Sequence, residues 1–135
     1  MRTAKTAVLL FILQLETMQL INLSNPSKPI KIEVCRSFFS KFKGLMFQHR
    51  LDEQEGIALV ADSSGIINNS IHMFFVNFDI AVIWLDSSMH VVDKTIAKKW
   101  HPYYAPKNPA LYTLELHTSK IAEFNKNDQV KFNDA

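Results

Sequence analysis

The sequence is poor in the features that mark several common protein classes. Three glycines and five prolines in 135 residues exclude a collagenous, linker-rich or low-complexity chain. A single cysteine, Cys35, excludes an internal disulfide and fits a thiol in a reducing compartment, a fit shared by exported domains that lack disulfides. The formal net charge of +2 leaves no electrostatic argument for nucleic acid or an anionic surface. No apolar run reaches the ~20 residues that a membrane-spanning helix needs. The histidines at 49, 72, 90, 101 and 117 form no H-x-H or H-x-x-x-H pair, so closed zinc motifs are absent and no metal or cofactor is expected. There is no G-x-S-x-G, and Cys35 has no base beside it, so no catalytic residue is assigned.

What is abundant is aromatic and β-branched. Ten Phe, three Tyr and two Trp, with many Ile and Val, favour strands over helices. Residues 18–23 read as a strand ended by Ser24-Asn25-Pro26-Ser27. Ile30, Ile32 and Val34 alternate with Lys31 and Glu33, the pattern of a half-buried strand in a hairpin with the first. Phe38, Phe39, Phe42, Leu45 and Met46 change to helical spacing, which predicts a short amphipathic helix over 37–43 ended near Gly44. Further strands are expected at 57–60, 71–76, 79–86, 91–97, 111–116 and 129–132, with a loop at 62–69 and a second short helix at 118–124. The expected fold is mainly β, a compact sandwich or barrel-like domain of about seven or eight short strands with two short helices.

The ends raise a targeting question. Arg2 and Lys5 precede the apolar run 7–13, as in a secretory signal, but no small-x-small cleavage site follows. Residues 1–17 are therefore either a degenerate signal or peripheral anchor, or an extension ahead of a true start at Met18 that the fold does not use; the second is preferred. The single domain is expected at 18–132, with a short tail at 133–135. A start at Met18 implies a cytoplasmic protein; retention of 1–17 implies export or peripheral membrane contact.

Three blocks then line up in order with a known family. Lys43-Gly44-Leu45-Met46-Phe47 with Leu51 and Gly56-Ile57 is similar to its "GLM…L…GM" block. Ile71-His72-Met73-Phe74-Phe75 with Asp79-Ile80 and Trp84-Leu85-Asp86 is similar to "IHMFF…LD…FLD", and Leu114-Glu115-Leu116 with Asn127-Asp128-Gln129-Val130 to "LE…GD.V". The chain thus resembles the prokaryotic "domain of unknown function 192" family over about 18–132. The resemblance implies a small β-sandwich-like fold and no assigned activity. The chain departs from the pattern at His117-Thr118-Ser119, where a glycine is usual, and at Asn127, where asparagine tolerates the left-handed turn that glycine would make.

Candidate functional residues lie in three places. His72, within the apolar run 70–86, is either a ligand or base or a histidine held by one structural hydrogen bond. Asp79 is a base, a metal ligand or a turn-making carboxylate, and Asp86 reads as a turn residue. Glu115 points opposite to Leu114 and Leu116 and is expected to pair with Arg36 or Lys43. The loop 98–107 interleaves Lys98 and Lys99 with Trp100, His101 and Tyr103, a pattern suited to stacking against a ligand or partner, or to an ordinary proline-pinned loop. The expected function is a ligand- or protein-binding accessory module, a monomer with no nucleic-acid partner, whose groove lies between that loop and His72 and Asp79. The alternative is a hydrolytic or metal-assisted enzyme that uses His72, Asp79 and Glu115.

Overall fold

The computed structural model describes residues 15–37, 41 and 44–135. Among them, seven strands form one sheet: β1 (Leu15–Asn22), β2 (Ile30–Cys35), β3 (Glu55–Gly65), β4 (Ile80–Leu85), β5 (Val91–Ala97), β6 (Ala110–Leu116) and β7 (Val130–Asp134). Their order is β5-β4-β6-β3-β2-β1-β7, antiparallel throughout except for the parallel β2–β3 pair. The sheet is open but curled. An antiparallel bridge between His90 and Gln129 ties the approach to one edge strand to the approach to the other. The mainly-β expectation holds.

The curl gives the sheet two apolar faces. Leu20, Ile32, Val34, Ala58, Ile83, Leu114, Leu116 and Phe124 fill the concave interior. Ile57, Val82, Trp84 and Cys35 face outward, where Leu45, Met46, Ile71, Met73 and Val76 cover them. Cys35 is a buried thiol in this outer cluster, packed as a small apolar side chain. Strand β4 feeds both faces, Ala81, Ile83 and Leu85 inward and Ile80, Val82 and Trp84 outward, so all six of its residues are buried. A strand covered on both faces has no position for a polar side chain, which is why this segment reads as an unbroken apolar run.

Several expected elements differ. Residues 15–17, assigned to an unused extension, begin β1: Leu15, Glu16 and Thr17 pair with Cys35, Val34 and Glu33. The expected loop at 62–69 is mostly strand, because β3 continues through Gly65 after a register shift beyond Val60 and only then enters a 3₁₀ turn at Ile67–Asn69. Segment 71–76 is not a strand. Ile71 alone bridges Tyr104, and Phe75 lies at φ +61°, outside the extended region. Its apolar character comes from covering the outer face. The expected helix at 37–43 lies outside the described residues except for Ser37 and Lys41, where the Lys41 amide donates to the Ser37 carbonyl at 3.0 Å. The second expected helix is a 3₁₀ turn, Thr118–Glu123, started where His117 Nδ1 accepts from the Ser119 amide at 3.1 Å. Asn127 takes φ +75°, the left-handed turn its side chain tolerates.

Candidate functional site

Thr113 and Glu115 alternate with Leu114 and Leu116 along β6, so when the leucines fill the interior these two side chains must face outward. Leu59 and Ala61 of β3 lie beside them, in register Leu59 with Thr113 and Ile57 with Glu115. Over this patch the covering layer leaves a cavity of about 250 Å³, with Lys41 and Gly44-Leu45-Met46 on one side and Asn68 to His72, with Val76, on the other.

The second wall is fixed by buried polar bonds. Asn69, 3% exposed, donates through Nδ2 to the carbonyls of Ala110 at 2.6 Å and Gly65 at 3.0 Å. Its own carbonyl accepts from Trp84 Nε1 at 2.8 Å. Satisfied networks of this kind hold a wall in one position because each broken bond strands a buried group. On the first wall Gly44 sits at φ +46°, and a methyl added to it would lie 3.5 Å from Glu115 Oε1. A residue without a side chain therefore stands directly beside the carboxylate.

Glu115 is 5% exposed. Among the described residues no group is hydrogen-bonded to or ion-paired with its carboxylate, and burial alone pushes its pKa up to about 7. The expected pairing with Arg36 does not occur; Arg36 lies 3.9 Å from Glu16 instead. Lys43, the other expected partner, is outside the described residues. His72 lines the same cavity. Its Nδ1 accepts the Phe74 amide at 3.1 Å, and its ring lies 5.4 Å from that of Phe74. With Nδ1 an acceptor, the neutral ring carries its proton on Nε2.

The other expected site residues lie elsewhere. Asp79 lines a separate concavity with His49, Arg50, Asn77, Lys99 and His117. It accepts from the Lys99 amide at 2.9 Å and from Lys98 Nζ at 3.4 Å, and the Lys99 amide first, then Lys98, hold its carboxyl below the usual aspartate value. It therefore anchors the start of loop 98–104. Asp86 Oδ1 accepts from the amides of Ser88 and His90 at 2.9 and 3.0 Å, the turn role its position suggests. On its His72 side the expected groove is closed by backbone bonds: Tyr104 with Ile71, the Met73 amide to the His101 carbonyl at 2.8 Å, and the Trp100 amide to the Met73 carbonyl at 2.9 Å. On its Asp79 side, Lys99 of the loop and Asp79 line the separate concavity.

Trp100, His101 and Tyr103 are exposed, with Tyr103 at 55%. The His101 ring lies 4.9 Å from that of Tyr104. Trp100 belongs to a row of rings, 5.0 Å from Phe75, which is 5.1 Å from Phe47. All three take left-handed backbone, at φ +64° (Phe47), +61° (Phe75) and +63° (Trp100). Bulky residues adopt this conformation only when the surroundings hold them there. The row clasps the loops that carry both cavity walls, since Phe47 follows Met46 and its amide donates to the Phe75 carbonyl at 2.9 Å. Reading the sequence alone misses Lys41, Gly44 and Asn69 as site residues; Gly44 carries the one usable signal, as the glycine of the "GLM" block.

A curled, mainly-β domain with a small polar-floored cavity under its outer loop layer is thus the class of molecule present. The chain belongs to the DUF192 family of uncharacterised proteins, whose model matches residues 20–132. It is 44% identical over 85 residues to the UPF0127 protein TK1120 of Thermococcus kodakarensis, covering 63% of this chain and 52% of that protein. It is also 29% identical over 114 residues to the UPF0127 protein PYRAB11210 of Pyrococcus abyssi, covering 80% and 94%. The chain spans about half the length of the Thermococcus kodakarensis relative it matches. A crystal structure of a protein of unknown function from Novosphingobium aromaticivorans superposes with a TM-score of 0.75 at 18% identity, over 87% of this chain and 84% of that one, which shows the shared fold.

Proposed function

We propose that this domain is a small-molecule-binding module whose site is the cavity at Glu115. The observation that carries this reading is a 95%-buried glutamate whose carboxyl group opens onto a cavity and has no hydrogen-bond or ion-pair partner among the described residues. A carboxylate in that position costs several kcal/mol unless something else enters to bind it. The volume, about 250 Å³, lies below the ~300–1,000 Å³ of drug-sized pockets and fits a compact ligand. The hydrolytic alternative needs His72, Asp79 and Glu115 around one point. Only His72 and Glu115 share a cavity, and Asp79 is committed to Lys98 and Lys99.

The test is a fragment screen by amide chemical shifts, repeated on Ala61→Phe, which fills the cavity from the β3 side. Hits are expected to move Gly44, Ser70 and Thr113 and to vanish in the variant. Hits that instead cluster on 98–104 and survive Ala61→Phe refute the assignment.

A further inference from the structure

Each polar group around the cavity other than Glu115 has a partner within the protein. Asn69 bonds the Ala110 and Gly65 carbonyls, Asn68 the Ser63 carbonyl, and Ser70 Oγ the Ile67 carbonyl at 2.6 Å. Thr113 Oγ1 reaches the Asn69 carbonyl at 3.5 Å, Lys41 Nζ lies 3.7 Å from Asp62, and His72 accepts the Phe74 amide. Among the described residues, none of these donors is hydrogen-bonded to the Glu115 carboxylate. Glu115 is an acceptor facing into this space with no donor bonded to it among the described residues, and a ligand that satisfies it must bring its own N–H or O–H groups.

Charge decides which donors. A neutral donor leaves the carboxylate desolvated and uncompensated, whereas a cation turns the same low-dielectric surroundings into attraction. The remaining lining is aliphatic: Leu45, Met46, Leu59, Ile71 and Val76. We propose that the cavity takes a small protonated primary amine, its ammonium group on the Glu115 carboxylate and its short alkyl part against Leu45, Leu59, Ile71 and Val76. This rests on the reading of the cavity as a ligand site and adds the class of ligand. The same carboxylate, when ionised, repels anionic ligands.

Binding an ammonium requires the ionised carboxylate, so with the free group titrating at about 7 the affinity for amine rises about tenfold from pH 6 to pH 8. The experiment titrates the full chain with three probes of one shape, n-butylammonium, n-butanol and n-butyrate, by calorimetry and by amide chemical shifts. Expected are butylammonium binding at least tenfold tighter than butanol, no binding of butyrate, and loss of the amine preference in Glu115→Gln with butanol binding kept. Butanol binding as tightly as the amine overturns the amine proposal while the ligand cavity stands. Failure of all three probes to shift Gly44 and Thr113 overturns both. Amine binding that Glu115→Gln leaves intact overturns the assignment to this carboxylate.

Discussion

Replacing Glu115 with glutamine should stabilise the folded domain, and by an amount that grows with pH. The carboxyl titrates near 4.5 when exposed and at about 7 in the fold, where it is desolvated without a partner. Between those values the unfolded chain has lost a proton that the native chain keeps, so wild-type stability falls as pH rises. At ~1.36 kcal/mol for each pH unit of displacement, the stabilisation present below pH 4.5 is diminished by about 3 kcal/mol once pH exceeds about 7. Glutamine has nearly the same shape and no titration, so the variant lacks this slope. Urea denaturation of both proteins at intervals from pH 4.5 to pH 8.5, without ligand, gives the comparison. The difference in unfolding free energy should drift by about 3 kcal/mol in favour of Glu115→Gln across that range, a midpoint change of roughly 1 M or more at a typical urea slope. A difference that stays constant with pH would mean that the carboxyl titrates normally. A difference that drifts the other way would mean that a cation neutralises it in the fold. Either result removes the physical basis of the ligand site.

Three further outcomes follow from the same structure. Gly56→Ala places a methyl 2.5 Å from Leu116 Cδ2 and 2.7 Å from the Glu115 carbonyl, so it should cost about 1–3 kcal/mol in thermal or urea unfolding. Asn69→Leu strands the Ala110 and Gly65 carbonyls and should cost about 2–4 kcal/mol, with increased hydrogen exchange at Ser70 and Ile71; an unchanged exchange pattern would show that Asn69 does not hold that wall. Asp79→Asn should lower stability at neutral pH by less than ~1 kcal/mol, since the carboxylate is about a third exposed, and this deficit should fade as acid protonates the wild-type group below its ordinary value of 3.8.

How much of this could be read from residues alone depends on whether the information was local. Alternation in Ile30–Cys35 and the double-sided burial of Ile80–Leu85 are written in consecutive residues, and both strands stand where the pattern puts them. Asn127 likewise carries its own left-handed preference. The run 71–76 misleads because apolar character reports burial, not conformation: Ile71, Met73 and Val76 are buried by lying across the sheet, with the Met73 amide and carbonyl bonded to loop 98–104. Glu115 shows the same division. Its direction, opposite to Leu114 and Leu116, follows from strand period two. Its described surroundings come from residues 41, 44–46 and 68–72, and nothing local to β6 reveals that none of these hydrogen-bonds or ion-pairs with it.

The cost of the outer layer argues that its shape is selected for more than covering the sheet. Phe47, Phe75 and Trp100 each hold a left-handed backbone, at ~1–3 kcal/mol apiece for non-glycine residues. Glu115 adds about 3 kcal/mol at neutral pH through its unpaired burial. A domain whose net stability is ~5–15 kcal/mol carries these together only if they are offset, and covering the outer face needs neither. Leucine at 115 and turns with glycine at 47, 75 and 100 would cover Trp84 and Val82 at lower cost. The strained residues bridge the loops bearing the two walls, and the uncompensated carboxyl lies between those walls. Stability spent on a small cavity floored by Glu115 is what the proposed preorganised site for a compact cation would require.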